Sequence, residues 1–384
     1  MHSFWTGVLG ILAFLWIIVG VRVLWGMAIV LRLTAMTPLR DAECPTVSIL
    51  VAARDEAAGL ARSLPTLLAQ DYPHYEVVVV DDRSSDGTPR ILEEFARLHQ
   101  NLRVISLTEL PLGWLGKSHA LATAHAHSTG EWLIFTDADV RFAPDVVRRA
   151  LASVKRRGWD HLTMFFTPDM TGFWEKTALS FWLFSLMLWL EPWKVSDPKS
   201  RRYAGLGAFQ LLRRSAYEAI GTHRRLALEV VEDLKLGKLI KAGGFRSGMA
   251  LSDGMVRVRW HEGLHGIIHG LTKNSFAACN YRISTLALNL LLLFTFQILP
   301  YLALIFARGI PQALAAVSVL VILPLRLRAD HYHEIPRGYA LTHPLGAIIV
   351  SYILLRSAFV VLSGGGLTWR DTFYALDDLR KGSV

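Results

Sequence analysis

The chain has 384 residues, of which 52% are hydrophobic and only 19% are charged, and its formal net charge is +9. About 150 residues per domain allow two or three folded units, and the apolar composition excludes a disordered chain or an ordinary soluble enzyme. Part of the chain is therefore expected to lie in a lipid bilayer. The positive charge fits either nucleic acid or basic loops beside anionic lipid. The apolar composition favours lipid, so we expect no nucleic-acid partner.

The first long apolar run begins almost at residue 1. Phe4 to Val21 has no charged residue and, with the apolar residues after Arg22, is long enough to cross about 30 Å of hydrocarbon. The basic residues Arg22, Arg32 and Arg40 follow the run, whereas a cleaved signal peptide carries them in front. We therefore interpret residues 1–32 as an uncleaved anchor. Positive charge after the span predicts an N-terminus outside the cell and a cytosolic remainder.

Three more apolar runs near the C-terminus have the composition of transmembrane helices: Thr285 to Ala307, Ile310 to Leu325 and Gly338 to Leu362. Together they predict a membrane segment at 285–363, followed by a short tail at 364–384. With the N-terminal anchor, this layout puts three basic residues on a cytosolic loop: Arg326, Arg328 and Arg337.

A shorter apolar segment interrupts the middle of the chain. Ala178 to Leu190 spans 13 residues between Lys176 and Glu191, which is too short for a comfortable membrane span. Tryptophan rings are favoured at the lipid–water boundary, and four accompany this segment: Trp174, Trp182, Trp189 and Trp193. We interpret residues 174–193 as an interfacial helix or a wall of a pocket for an apolar ligand. A buried core helix is the alternative.

From Pro45 to Lys273, short β-branched runs alternate with helical stretches. The runs are continuously apolar, as strands buried on both faces of a parallel sheet are: Val47 to Ala52, Glu76 to Val80 and Trp132 to Thr136. The helical stretches are Ala57 to Ala69, Thr88 to His99 and Lys117 to Ser128. This alternation predicts an α/β domain over residues 45–273. Ligands of such sheets bind beyond the carboxyl ends of the strands.

Acidic residues follow each of the three predicted strands: Asp55 and Glu56, then Asp81 and Asp82, then Asp137 and Asp139. Two aspartates at i and i+2 after a strand can present oxygen ligands to Mg²⁺ or Mn²⁺, cations that also bind phosphate oxygens. One such pair alone is usually a solvated turn or a helix cap. Three acidic clusters at successive strand ends instead predict a binding site at one edge of the sheet.

Five segments in this order resemble the family 2 glycosyltransferases, whose catalytic domain has the GT-A fold: VSILVAARDE, VVVVDDRSSDGT, GWLGKSHAL, FTDADV and EVVEDLKLGKLIKAGG. The resemblance covers about residues 45–260. The GWLGK segment and the membrane layout are most similar to hopanoid-associated and, more distantly, ceramide glucosyltransferases. The resemblance implies an inverting enzyme that transfers a sugar from a nucleotide-diphosphate donor, with UDP favoured, to a membrane lipid. It also implies a bacterial-type inner membrane with the catalytic domain in the cytoplasm.

The donor-side residues implied by the resemblance are Ala53, Asp55, Glu56, Asp82, Lys117 and Asp137. In the family, the acids after the first two strands hold the base and ribose, and the first Asp of the DxD motif, here Asp137, lies on the ribose side. The second, Asp139, coordinates Mn²⁺ or Mg²⁺ on the diphosphate. Lys117 matches a basic position close to the nucleotide, where an ammonium would offset diphosphate charge. A solvated lysine is the alternative for this position.

Glu232 and Asp233 match the acidic pair that carries the general base in this family, with Asp233 at the position of the base. The chemistry needs such a group, because an acceptor hydroxyl is a poor nucleophile until a carboxylate takes its proton. Glu232 has either a role in catalysis or the ordinary role of a surface residue or of an acid at a helix N-terminus.

Two further motifs lie on the acceptor side of the family's site. Gly205 and Gly207, in GLGAF, resemble the small-residue loop that borders the acceptor, where glycine allows close approach of the backbone. Arg259 and Trp260 resemble the end of the Q/R-x-x-R-W motif, although Val256 occupies its first position. This departure argues against a processive synthase.

One motif points to a different class of enzyme. His261, Glu262 and His265 fit H-E-x-x-H, which on a helix places two zinc ligands on one face beside a general-base glutamate. A membrane zinc metallopeptidase is therefore the alternative function. Gly263, Gly266 and Gly270 make a poor helix, at about 1 kcal/mol each relative to alanine. The alternative also leaves the strand-end acids unexplained.

Overall fold

A computed structural model describes residues 2–370 and 372–384. Its strands are β1 (Leu31–Arg32), β2 (Val47–Ala53), β3 (Tyr75–Asp82), β4 (Leu102–Leu107), β5 (Trp132–Asp137), β6 (Val140–Phe142), β7 (His161–Phe165), β8 (Thr167–Pro168), β9 (Gln210–Arg213), β10 (Ser247–Leu251), β11 (Val256–Val258), β12 (Gly366–Trp369) and β13 (Thr372–Ala375).

The helices are α1 (His2–Ile29), α2 (Ala57–Leu68), α3 (Thr88–Leu98), α4 (Gly116–Ala126), α5 (Val146–Arg157), α6 (Phe173–Leu190), α7 (Pro192–Val195), α8 (Arg214–Ala219), α9 (Glu232–Ala242), α10 (Gly263–Ala278), α11 (Ile283–Leu292), α12 (Leu299–Phe306), α13 (Ile310–Tyr332), α14 (His343–Ser363) and α15 (Leu376–Lys381). A π-helical segment, Leu293–Ile298, joins α11 to α12.

The chain divides into two compact units. We call the first the sheet unit; it consists of Val30–Asp169, Pro192–Trp260 and Lys381–Val384. We call the second the helical unit; it contains α1, Met170–Glu191 and His261–Arg380.

Among the described residues of the sheet unit, eight strands form one sheet in the order β1-β10-β7-β9-β5-β2-β3-β4. The strands are parallel except β9, which runs antiparallel to both β5 and β7. The sheet is therefore mixed, whereas the sequence predicted a parallel one. The three predicted strands are the neighbours β5, β2 and β3, as their apolar runs suggested.

The centre of the sheet is fully covered on both faces. Val77 to Val80 in β3 and Leu50 in β2 have no exposed surface. One layer of their core is formed by residues of α4 and α9, including Leu121 and Leu236. Burial of each large apolar side chain contributes about 1.5–3 kcal/mol, so these continuous runs hold the strand ends in fixed positions. A second sheet, β6-β11-β8, lies in the same unit.

The helical unit contains helices long and apolar enough to cross a membrane, and over the described residues there are four: Ser3–Ile29, Ile283–Phe306, Ile310–Tyr332 and Arg337–Ser363. They correspond to the four predicted apolar runs, so the prediction of N-terminal and C-terminal transmembrane-type helices is confirmed. The loop position predicted for Arg326 is wrong. α13 continues past Leu325 to Tyr332, and Arg326 is completely buried in it, where its guanidinium donates to the Ser180 carbonyl.

The tryptophan-rich segment forms α6, which packs against α10, α13 and α14 within the helical unit. Phe181, Leu183 and Phe184 are buried, as the alternative of a core helix predicts. Trp174 and Trp189 keep nearly half of their surface exposed, at 48% and 46%. An interfacial position for these two rings stays a prediction.

Candidate active site

The acidic residues after β2, β3 and β5 meet at one edge of the large sheet. β2 lies between the other two strands, and the register pairs Ala52 with Asp137 and Ala53 with Asp81. Since parallel strands end at the same edge, the three acidic segments emerge side by side. The sequence predicted this arrangement from strand order alone.

Asp55 lies on the loop after β2 with φ of 52°, in the left-handed region that is uncommon for aspartate. One of its carboxylate oxygens accepts hydrogen bonds from Ser85 N at 2.7 Å and Ser85 Oγ at 3.2 Å. The backbone hydrogen bond from Ser85 lowers the pKa of Asp55, so the group is ionised at neutral pH. Asp55 thus ties the loop after β2 to the loop after β3.

Asp82 ends β3 and is 3% exposed. The Arg83 guanidinium lies 2.8 Å from its carboxylate, and Arg54 lies 3.9 Å away. Asp82, predicted to lie on the donor side, thus pairs with the arginines of both loops, which the sequence pattern alone did not reveal. The nearby Glu56 donates its backbone N–H to Thr88 Oγ1 at 2.9 Å, which fixes the start of α2.

Lys117 links two of the predicted groups. Its ammonium lies 2.6 Å from Asp137 Oδ1 and 2.7 Å from Glu232 Oε1. Burial acts to lower the pKa of Lys117, but the carboxylates of Asp137, Glu232 and Asp233 outweigh burial and hold that pKa well above its usual value. Lys117 is therefore a permanent cation inside an acidic cluster, and the solvated-lysine interpretation is wrong.

The loop containing Gly205 and Gly207 contacts both the DxD segment and α9. Gly207 N donates to Asp233 Oδ2 at 2.8 Å, and its carbonyl accepts from Asp137 N at 3.1 Å. A methyl group on Gly205 would fall 1.8 Å from the Asp233 carbonyl oxygen, and one on Gly207 would fall 2.7 Å from Asp137 Oδ2. The two glycines are therefore required by close approach to Asp137 and Asp233.

Asp233 lies in the first turn of α9, and its second carboxylate oxygen accepts from Leu234 N at 2.8 Å. Burial raises the pKa of Asp233 to about 7, and the neighbouring charge of Glu232 adds to the effect, while Lys117 opposes it. A carboxyl group with this pKa can take a proton near neutral pH, as a general base must. Glu232 is 4% exposed, so the surface interpretation of this residue is wrong.

Asp139 follows Asp137 by two residues and faces the start of α2. Burial, together with the negative charges of Asp137 and Glu56, raises the pKa of Asp139 to about 8. Hard carboxylate oxygens in an acid-rich position suit Mg²⁺ or Mn²⁺. No group of three or more metal-ligating side chains occurs among the described residues, so a cation here would need oxygens from a ligand as well.

Arg259 and Trp260 lie where the small sheet of the sheet unit ends. Arg259 donates to the Asp169 carbonyl at 2.7 Å, and the Trp260 ring packs edge-on against Phe166 at 6.3 Å. The antiparallel register pairs Val258 in β11 with Val140 in β6. Arg259 comes directly after Val258 and Asp139 directly before Val140, so the two residues lie at the same end of this strand pair.

The sequence analysis missed Asp169. Its carboxylate pairs with Arg257 at 3.1 Å and also with Arg141, so one acid holds arginines from both β6 and β11. The sequence feature that could have identified Asp169 is its position directly after a strand, which it shares with the acids at the other strand ends. β8 is only two residues long, which is too short to recognise from an apolar run.

The H-E-x-x-H residues do not share a helix. α10 begins at Gly263, so His261 and Glu262 precede it and only His265 lies within it. Burial lowers the pKa of His261 to about 4, which keeps its ring neutral. The two histidines therefore lack the i, i+4 helical geometry that a zinc peptidase site needs.

The sequence profile described as Glycosyl transferase family 2 matches residues 48–221 of this chain. This interval contains β2, β3 and β5 with the acidic segments that follow them. α9 and Asp233 lie beyond it.

Two relatives have names that state a product or a substrate. A beta-monoglucosyldiacylglycerol synthase from Trichormus variabilis is 32% identical over 181 residues, covering 46% of this chain and 37% of the relative. A 4,4'-diaponeurosporenoate glycosyltransferase from Staphylococcus haemolyticus is 26% identical over 234 residues, or 60% of each chain. The chain spans 37% of the length of the first relative, so the match concerns a shared domain.

Among solved structures, the chain resembles the mannosyltransferase PcManGT from Pyrobaculum calidifontis in complex with GDP-Man and Mn²⁺. The TM-score is 0.53 at 19% identity, covering 92% of this chain and 99% of the other. At this identity the likeness establishes the fold, which is the predicted GT-A fold joined to apolar helices.

Proposed function

We propose that this chain, whose residues 48–221 match the family 2 glycosyltransferase profile, transfers a sugar from a nucleotide-diphosphate donor to a hydroxyl of a membrane lipid, with inversion at the anomeric carbon. The observation that carries the proposal is the linked set of Asp137, Lys117, Glu232, Gly207 and Asp233. This hydrogen-bonded network joins the donor-side residue Asp137 to Asp233, a carboxyl group with a pKa of about 7.

In the proposed reaction, Asp233 is the general base. The acceptor O–H loses its proton to the Asp233 carboxylate as the oxygen attacks the anomeric carbon, and the bond from that carbon to the nucleoside diphosphate breaks. The diphosphate leaves with the bonding electrons, so one displacement inverts the configuration and no enzyme nucleophile is needed. Gly207 N–H orients Asp233 for this role through its 2.8 Å hydrogen bond.

On the donor side, Asp55, Glu56, Asp82 and Asp137 are proposed to hold the base and ribose. Mn²⁺ or Mg²⁺ bound at Asp139 would stabilise negative charge on the departing diphosphate. Lys117 supports the same step, because its ammonium is buried among acids and stays charged throughout the working pH range. UDP is the proposed nucleotide.

The lipid acceptor and the membrane location rest on other observations. In the part of the chain that the structure describes, four helices are long and apolar enough to cross a bilayer, and a relative is named beta-monoglucosyldiacylglycerol synthase. Arg32 and Arg40 follow the first of these helices, so we propose that the sheet unit is cytoplasmic at a bacterial inner membrane.

Nucleotide binding tests the donor half of the proposal. Binding of UDP and GDP to the detergent-purified chain is measured with and without Mn²⁺, for the wild type, Asp139→Asn and the control His265→Ala. We expect Mn²⁺-dependent binding of UDP that Asp139→Asn weakens at least tenfold and His265→Ala leaves unchanged. Binding of neither nucleotide, together with bound zinc that is lost in His265→Ala, would replace the transferase with the peptidase.

A further inference from the structure

The helical unit contains a buried ion pair within one of its long apolar helices, α13. Arg326 and Asp330 lie one turn apart on α13, are 0% and 1% exposed, and approach to 3.3 Å. Removing two charges from water costs several kcal/mol per ion before their attraction is counted. Ionisable side chains inside a membrane-type helix bundle are therefore rare and mark functional positions.

The Phe184 ring lies between Arg326 and a second polar side chain, His343. Its guanidinium donates to Ser180 O at 2.5 Å and Ser180 Oγ at 2.9 Å, and it lies 5.3 Å from the centroid of the Phe184 ring. The Phe184 ring also contacts His343, with ring centroids 5.6 Å apart.

His343 is completely buried near the start of α14. Its Nε2 lies 3.0 Å from Gln297 Oε1, and its ring stacks on Tyr301 with centroids 5.3 Å apart. We call Arg326, Asp330, His343, Gln297 and Tyr301 the Arg326 cluster; its members come from α12, α13, α14 and the π-helical segment.

Four buried atoms of this cluster have no hydrogen-bond partner among the described residues: Arg326 Nε, Asp330 Oδ2, His343 Nδ1 and the Tyr301 hydroxyl. Asp330 Oδ1 has only its ion pair with Arg326. A buried polar atom without a partner destabilises the folded protein. Native interiors satisfy more than about 90% of such groups, so four in one cluster indicate that something else supplies the partners.

The unsatisfied atoms define the chemistry of that partner. Arg326 Nε–H and the Tyr301 hydroxyl are donors; Asp330 Oδ2 is an acceptor, and so is His343 Nδ1 when Nε2 donates to Gln297. The partner must therefore both donate and accept. Hydroxyl groups do both, whereas a phosphate dianion only accepts and would face the Asp330 carboxylate. The opposite charges of Arg326 and Asp330 also leave the cluster with no net charge to attract an ion.

We propose that the Arg326 cluster binds the hydroxyl-bearing polar end of an uncharged amphiphile. Its location in apolar helices suits a ligand whose remaining part is hydrocarbon. The identification of this amphiphile as the acceptor lipid rests on the function proposed above; the binding site itself does not. The cluster thus favours a neutral lipid alcohol over a lipid phosphate as acceptor.

The test compares three probes on the detergent-purified full chain: dioctanoylglycerol, trioctanoylglycerol, in which the free hydroxyl is esterified, and dioctanoyl phosphatidate. The variants are Tyr301→Phe and Asp330→Asn, with Tyr352→Phe as the control because Tyr352 is 53% exposed on α14. Tyr301→Phe removes only an unsatisfied hydroxyl, so its melting temperature should match the wild type. The dissociation constant of each probe is measured by titration calorimetry.

We expect dioctanoylglycerol to bind the wild type at least tenfold more tightly than either other probe. Loss of one hydrogen bond should raise its dissociation constant about 3- to 10-fold in Tyr301→Phe, and more in Asp330→Asn, but not in Tyr352→Phe. The proposal is overturned if dioctanoylglycerol does not bind, if the phosphatidate binds more tightly, or if Tyr301→Phe binds like the wild type, which would mean that water alone fills the cluster.

Binding of these probes requires neither nucleotide nor metal, so the two proposals fail separately. Cluster-dependent binding without any sugar transfer would contradict the proposed function and leave the lipid site standing. Sugar transfer with an unchanged dissociation constant and KM for the lipid in Tyr301→Phe would contradict the lipid site alone.

Discussion

Replacement of Gly205 by alanine tests whether the loop before β9 positions the general base. The added methyl carbon would lie 1.8 Å from the Asp233 carbonyl oxygen, against an ordinary contact of 3.4 Å or more. Because the obstructing atom is backbone, either α9 or the loop must move by about 1.6 Å. A misplacement of about 1 Å can cost about 100-fold in rate, so we expect Gly205→Ala to lower kcat by about 100-fold or more.

Gly207→Ala provides the contrast. Its methyl carbon would meet the end of the Asp137 side chain at 2.7 Å, and a side chain can turn aside where a backbone carbonyl cannot. We expect a smaller loss of kcat, about 10-fold, with a larger effect on donor KM. Gly87→Ala is the matched control, since its methyl would make an ordinary 3.6 Å contact with Ala57.

The assay is transfer of labelled sugar from the nucleotide donor to lipid, with donor binding and melting temperature measured on the same preparations. A folded Gly205→Ala protein that retains wild-type kcat would refute the positioning argument. Equal losses in Gly205→Ala and Gly87→Ala would refute it as well, since the cause would then be general destabilisation.

Two further predictions concern pH and stability. Since burial raises the pKa of Asp233 to about 7 and a base acts in its deprotonated form, kcat/KM should rise with pH between about 6 and 8. Lys117→Met removes a positive charge that lowers this pKa, so the midpoint of the rise should move to higher pH. A kcat/KM that does not change with pH would exclude Asp233 as the base. Arg148, 8% exposed, donates to Leu39 O at 2.9 Å and Asp41 at 2.6 Å, so Arg148→Met should lower the free energy of unfolding by about 2 kcal/mol. The exposed control Arg90→Met should change it by less than about 0.5 kcal/mol, and equal melting temperatures for the two variants would contradict this.

The strand-end acids could be predicted because their strands are continuous apolar runs. Val47, Tyr75 and Trp132 begin strands close to where the pattern indicated, and parallel ends converge without further information. The antiparallel β9 was not predictable in the same way, because Gln210–Arg213 is too short and too polar to read as a central strand. Its partners are decided by tertiary packing.

Long-range pairing accounts for the remaining differences. The spacing of His261 and His265 fits a zinc motif, but the helix begins after His261, and no local pattern announces that start. Arg326 reads as a loop residue until Ser180, 146 positions away, is known to accept its hydrogen bonds. Likewise, the roles of Gly205 and Gly207 depend on α9, which follows them by almost thirty residues.

The most direct measurement of the central claim is transfer of radiolabelled sugar from UDP-sugars to a lipid extract by the purified chain, in wild type and Asp233→Asn. Asp233→Asn keeps the shape of the side chain and removes the base, and its single amide oxygen can accept only one of the two backbone hydrogen bonds. The account predicts Mn²⁺-dependent label in the lipid fraction for the wild type, and a loss of at least 100-fold in Asp233→Asn with donor binding within about threefold of wild type. Wild-type transfer by Asp233→Asn, or no labelled lipid from any donor with the wild type, would contradict it.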